Sequence, residues 1–299
     1  MILSRRWVYM GLGGVLIVVI GLLTVWLGIN ESAPINFSGD EAFKHAAAQM
    51  EFGPRPSGSE ANRLTGDYIL SELQKLGWQT ETQEFTYQDT PVRNIIGKAA
   101  LGQGPVIIVG AHYDTRRYAD QDSASPQSPV PGANDGASGV AVLLELARAL
   151  ETRDVKYEVW LAFFDAEDNG RIDDWEWIVG STYMANSLTI QPEAMILVDM
   201  IGDADQQIYL DRNSDEALSR DLFQIATDLG YGSNFIPEPK WAMLDDHTPF
   251  ARRGIPAVDL IDFDYPHWHT TADTLNKISA ASLERVGRIV EVYLEGPPQ

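Results

Sequence analysis

Val106-Ile107-Ile108-Val109-Gly110-Ala111-His112-Tyr113-Asp114 is the stretch that decides the fold. Its first four residues are apolar without alternation, which describes a short strand buried on both faces, and such strands belong to parallel sheets covered by helices. Three further runs have the same character: Val159-Trp160-Leu161-Ala162-Phe163-Phe164, Ala194-Met195-Ile196-Leu197-Val198 and Ala257-Val258-Asp259-Leu260-Ile261. Helical stretches at 137–150, 214–229 and 280–294 alternate with them. The expected fold is therefore α/β, with a mixed, largely parallel central sheet and helices on both faces.

Upstream, residues 40–50 have helical character, and Ser59 caps a helix over 60–76 that Gly77 closes. Residues 53–58 between them are turn-rich. Gln79–Tyr87 alternates as a half-buried strand does, and 92–100 is an apolar strand. The polar stretch 120–131 reads as a flexible surface insertion.

Each buried run leads into polar chemistry: His112 and Asp114 after the first, Glu167 and Asp168 after the second, Asp199 at the end of the third, His267-Trp268-His269 beyond the last. In open α/β sheets ligands bind beyond the carboxyl ends of the strands, so these groups are expected to share one crevice. The chain has no cysteine and five histidines, which excludes thiolate sites and leaves imidazole and carboxylate as metal donors. His112, Asp135, Asp168, Asp199 and His269 are enough for two zinc ions sharing one bridging carboxylate, about 3.5–4 Å apart in such sites. His45 and His267 match no ligand position, and His247 is expected to order its loop.

These residues resemble the co-catalytic zinc aminopeptidase family, which includes bacterial leucyl aminopeptidases and the glutaminyl cyclases. The marks are His112-Tyr113-Asp114, Asn134-Asp135-Gly136-Ala137-Ser138-Gly139, the acid pair Glu167-Asp168, Asp199 and Trp268-His269-Thr270. The resemblance runs from about Gly53 to the carboxyl end. It implies that Asp135 bridges two metals, with His112 and Asp199 completing one and Asp168 and His269 the other. It further implies that Glu167 is the general base for the hydrolytic water and that Asp114 holds the His112 ring from behind. One position departs from the pattern: the second acid of the pair is usually Glu, and here it is Asp168, one methylene shorter.

Other stretches are similar to glutaminyl cyclases in particular: Arg55-Pro56-Ser57-Gly58-Ser59, Leu143-Leu144-Glu145-Leu146-Ala147-Arg148-Ala149-Leu150, Asp245-Asp246-His247-Thr248-Pro249-Phe250 and Arg252-Arg253-Gly254. In that branch the acid matching Asp245 and the tryptophan matching Trp268 lie at the substrate, and one zinc suffices. Asp245 has a second reading as a helix cap. Against cyclisation, Asn134 to Gly139 has the peptidase form, and Asp259 stands where animal cyclases carry His. The leading expectation is thus a zinc aminopeptidase acting on a peptide substrate, the alternative a glutaminyl-peptide cyclotransferase. A catalytically inactive ectodomain ranks last because the ligand types and the base are all present. Trp175, Trp177, Trp241 and Trp268 are candidates for an apolar specificity wall.

The 22 basic and 43 acidic residues leave a net charge of −21, which repels phosphate backbones and argues against a nucleic-acid partner. Two of the basic residues, Arg5 and Arg6, precede a charge-free run over 7–29 that is long enough to cross a hydrocarbon core of about 30 Å. The acids Glu31, Asp40 and Glu41 come after it. The positive-inside rule then predicts a single-pass membrane protein with a cytoplasmic amino terminus and an extracytoplasmic domain. Residues 1–30 are read as stub and anchor, 31–39 as tether and 40–299 as the catalytic domain. The sequence sets no oligomeric state.

Overall fold

The computed structural model describes residues 36–150, 152 and 155–295. The apolar run 7–29 lies outside them, so the expected anchor does too. Among the described residues no helix is long and apolar enough to cross a membrane.

Two helices open the domain, α1 (Gly39–Met50) and α2 (Glu60–Lys75), each capped by a serine: Ser38 accepts from the Glu41 amide and Ser59 from the Asn62 amide. Strands β1 (Gln79–Tyr87), β2 (Thr90–Ala99) and β3 (Val106–His112) come next, then α3 (Ala137–Ala149), β4 (Glu158–Phe164), α4 (Val179–Ser187) and β5 (Ala194–Asp199). The remainder is β6 (Ile208–Leu210), α5 (Glu216–Asp228), β7 (Phe235–Pro239), the single turn α6 (Thr248–Ala251), β8 (Ala257–Ile261) and α7 (Ala280–Glu295).

Six strands form the central sheet in the order β1-β2-β4-β3-β5-β8. The four predicted from continuous apolar runs, β4, β3, β5 and β8, are mutually parallel, and the β1–β2 hairpin adds antiparallel at the β4 edge. The sheet is mixed and largely parallel, as the sequence implies. β6 and β7 make a separate parallel pair.

Burial explains the apolar runs. Ile107, Val109, Leu161, Phe163, Ile196, Val198, Val258 and Leu260 turn to one face and pack in a core shared with α3 and α7. Ile108, Ala162, Phe164, Met195, Leu197 and Ala257 turn to the other, where Met184 of α4 and Phe250 of α6 cover them. Each fully buried aliphatic or aromatic side chain contributes about 1.5–3 kcal/mol, so both faces of these strands favour the parallel arrangement. Helix α3 is buried at every position but Arg148, because α1 and α7 pack over it on the sheet. Gly139 allows that approach: a Cβ there would stand 2.3 Å from the Val198 carbonyl oxygen of β5.

Strand register brings the polar groups together. His112, the last residue of β3, pairs with Phe164, the last of β4, and Asp199, the last of β5, pairs with Ile261, the last of β8. Four parallel strands therefore stop at one level, and the loops that leave their carboxyl ends border one crevice.

Candidate metal centre

Two trios of donors form at this level. His112 Nε2 lies 3.0 Å from Asp199 Oδ1 and 3.2 Å from Asp135 Oδ1. His269 Nε2 lies 2.9 Å from Asp168 Oδ1 and 3.7 Å from Asp135 Oδ2. In each trio one donor atom per residue falls within 4.8 Å of the others. Asp135 belongs to both, presenting a different carboxylate oxygen to each. All five predicted ligands are thus brought together, including Asp168 despite its missing methylene.

The donor set fits zinc. Every member is buried, and Asp135 Oδ2 and Asp168 Oδ2 have no hydrogen-bond partner, which is costly for a carboxylate unless a cation completes it. The electrostatics agree. Burial and the neighbouring Asp135 push Asp168 up to about 6 despite His269. Burial opposes charge on His269 as well, but Asp168, Asp120 and Asp135 outweigh it and raise the imidazole to about 9. A dication among these acids removes the repulsion that otherwise forces protons onto them.

Backbone geometry aims the donors. Asp135 precedes Gly136, whose φ of +105 suits only glycine and whose added Cβ would meet the Asp114 carbonyl oxygen at 2.5 Å. Ala166, Met200 and His269 all take the left-handed region, at φ of 60, 45 and 54. These three positions adjoin or carry site residues, the usual location of such strain.

Asp114 does more than back a ligand. Its Oδ1 is 3.6 Å from His112 Nδ1, beyond direct hydrogen-bond range, while the same carboxylate accepts the amides of Glu167 at 3.0 Å and Asp168 at 3.2 Å. It fixes the acid pair by its backbone. Two residues that sequence reasoning passed over play parallel parts. Asp273 accepts the amides of Asn134 at 2.9 Å and Asp135 at 3.1 Å, and the Tyr265 hydroxyl donates to it. Arg55, fully buried, donates to the carbonyls of Tyr113, Gly53, Pro131 and Gly132. The only signal for Arg55 was its place in a cyclase-like stretch.

A cavity of about 320 Å³ opens on the trios, with Glu167, Asp168 and Asp245 among its polar lining and Trp177, Trp268, Phe263, Ile261 and Met243 among its apolar walls. Trp268 stacks on His269 with ring centroids 3.8 Å apart. Asp245 is 4% exposed, and its carboxylate is not the cap of α6, which starts after His247 without a side-chain cap. Burial, Asp168 and the acids Asp245 and Asp246 hold the Glu167 carboxyl well above the ordinary range. Burial, Asp199 and Asp246 do the same to Asp245. Behind Asp245 lie Asp259 and then His247, which stands 3.9 Å from Asp259 and 3.5 Å from Asp211. His247 is buried in this cluster with neither ring nitrogen hydrogen-bonded. Of the other tryptophans, Trp175 packs with Val92, Ala166 and Val179, and Trp241 packs edge-on to Phe263. His45 meets the Tyr68 hydroxyl, remote from the crevice.

Fold and donor sets define a zinc-exopeptidase-like α/β protein with a histidine–carboxylate metal centre. The chain belongs to Peptidase family M28, which matches residues 94–294. It is similar to the glutaminyl cyclase of Porphyromonas gingivalis, 34% identical with a TM-score of 0.83 over 87% of this chain and 99% of that one. It is also similar to a leucine aminopeptidase precursor from Bacteroides thetaiotaomicron, 30% identical with a TM-score of 0.83 over 89% and 99%. The glutaminyl-peptide cyclotransferase-like protein of Mus musculus is 28% identical over 80% of this chain and 71% of that protein.

Proposed function

We propose that the protein is a glutaminyl-peptide cyclotransferase, converting amino-terminal glutamine of a peptide to pyroglutamate, a preference opposite to the one the Asn134 to Gly139 motif favours. The observation that carries this reading is Asp245, a buried carboxylate that lines the same cavity as Glu167 and Trp268. It supplies an anchor for the substrate amine beside the group that moves its proton, the placement that cyclisation needs. Similarity to cyclases from bacteria and animals supports it.

His112, Asp135, Asp168, Asp199 and His269 would hold the zinc, which would supply Lewis acidity for the side-chain amide of the substrate. Asp245 orients the α-amine toward the δ-carbon of the same residue, an intramolecular attack that positioning favours. As the new C–N bond forms, Glu167 takes a proton from the amine and delivers it to the departing nitrogen, and the amide C–N bond breaks to release ammonia. Trp177, Trp268 and Phe263 give the cavity an apolar wall, in keeping with a reaction that does not consume water.

Incubation of the zinc-loaded protein with a Gln-initiated peptide is expected to yield one ammonia per peptide and a product lighter by that ammonia. Free glutamine with a shortened peptide overturns the reading. Aminopeptidase hydrolysis is the second reading, favoured by the intact pair of trios around Asp135, an arrangement suited to two ions; cyclisation requires one. The convergence of all five donors and Glu167 speaks against an inactive ectodomain. The single-pass anchor over residues 7–29, with the domain outside the cytoplasm, remains our proposal from Arg5, Arg6 and the charge-free run.

A further inference from the structure

The segment after β3 does not behave as the free insertion its composition suggests. Arg116 is 3% exposed, and its guanidinium donates to the carbonyls of Asp168 at 2.8 Å and Gly170 at 3.3 Å. The same group lies 4.7 Å over the Trp177 ring and pairs with the Asp120 carboxylate, Nε to Oδ1, at 3.0 Å. Asp120 Oδ1 in turn stands 3.3 Å from His269 Nδ1, a buried nitrogen that makes no hydrogen bond, so the contact is one of charge and position. In the next two residues, the Gln121 amide donates to the His269 carbonyl at 3.2 Å, and Asp122 accepts the Thr271 amide at 3.1 Å and the Thr271 hydroxyl. His269 itself sits at φ +54, a conformation that persists in a non-glycine residue only when its surroundings hold it.

The geometry points to residues 116–122 as a strap that positions one of the two donor trios, with Arg116 and Asp120 as its positioning residues. One guanidinium ties the loop carrying Asp168, whose amide Asp114 also holds, to the carboxylate beside His269, so two of the three ligands of that trio share one charge pair. In the other trio the carboxylate behind the histidine is Asp114, which is tied to the same acid-pair loop through the Glu167 and Asp168 amides. A carboxylate on the far nitrogen of a ligating imidazole fixes its tautomer and orientation, and losing it costs about 10–100-fold in metal affinity. The assignment rests on the metal centre and holds whether the reaction is cyclisation or hydrolysis.

The test is zinc binding by competition with a chromogenic chelator, on the wild type, Asp120→Asn, Asp120→Glu and Arg116→Lys, with urea unfolding of each metal-free form. Asp120 is partly exposed, so Asp120→Asn is expected to stay folded without metal, with its unfolding midpoint somewhat lowered because the buried Arg116 loses its charged partner. Its zinc affinity should fall about 10–100-fold, with recovery in Asp120→Glu and an intermediate loss in Arg116→Lys. The visible spectrum of the cobalt-substituted Asp120→Asn protein should change as His269 loses its fixed orientation. Unaltered zinc affinity and cobalt spectrum in Asp120→Asn overturn the strap, whichever product the enzyme makes.

Discussion

Asp114→Asn changes one oxygen to an amide nitrogen and nothing in volume, yet it strikes two parts of the site. The native carboxylate accepts the Glu167 amide through Oδ1 at 3.0 Å and the Asp168 amide through Oδ2 at 3.2 Å, with the Ser57 hydroxyl also on Oδ2 at 3.3 Å. An asparagine has one oxygen, so one of these buried backbone N–H groups must face another donor. An unsatisfied buried donor costs about 1–3 kcal/mol. Removing a negative charge beside Asp165, which burial and Asp114 together push up to about 7, offsets part of this. The expected net loss of stability is therefore in the lower half of that range, about 1–2 kcal/mol. Zinc affinity should drop more clearly, by about 10–100-fold, because Asp168 shifts with its backbone and His112 loses the negative charge behind it. Urea unfolding of the metal-free protein measures the first effect and chelator competition the second. Wild-type values for both would refute the assignment of Asp114 as the group that fixes the acid pair.

Glu167→Gln keeps the Asp114 contact, which is made by the backbone, so zinc binding should survive while turnover falls about 10²–10⁴-fold; full activity would exclude Glu167 as the proton carrier. Glu291, buried where α7 meets the chain entering α1, accepts the Asn36 and Phe37 amides at 2.7 and 3.1 Å, yet burial raises it from 4.5 to about 7. A folded-state pKa above the unfolded one means that the folded protein binds the extra proton, so this contribution is full below pH 4.5 and fades as pH rises through about 7. The difference in stability between wild type and Glu291→Gln should accordingly slope across that window, and a flat difference contradicts it. Membrane attachment through residues 7–29 predicts that the full chain stays with membranes through a high-salt wash; release by salt alone contradicts an inserted span.

The legible part of the fold was the part that repeats a simple period. β3, β4, β5 and β8 declared themselves by continuous apolar runs because both faces of each are covered; His112, Asp168, Asp199 and His269 stood out at or beyond the carboxyl ends of those strands, while Asp135 came with the Asn134 to Gly139 motif of the family resemblance. Residues without that context were missed for identifiable reasons. Helix α4 reads Val-Gly-Ser-Thr-Tyr-Met-Ala-Asn-Ser, with no apolar stripe, because it is packed at its first turn and around Met184 rather than along one face. β6 and β7 are short and pair only with each other. Arg55 and Asp273 act by hydrogen bonds to backbone groups that are distant in sequence, which no local pattern encodes. Asp120 and Asp122 lie at the head of a polar loop whose composition suggests mobility, although its first residues clasp the loop carrying His269. The expected flexible insertion is thus corrected at its near end. The order of preference between hydrolysis and cyclisation was set by the Asn134 to Gly139 motif, which reports how the metal is held, and by Asp259, whose place beside the buried Asp245 no local pattern encodes.

Water labelled with heavy oxygen separates the two reactions most directly. With a Gln-initiated peptide and the zinc-loaded protein, cyclisation predicts a full-length pyroglutamyl product free of label, with ammonia released in equal amount. Labelled carboxylate on a released amino acid, with a peptide one residue shorter, would contradict it.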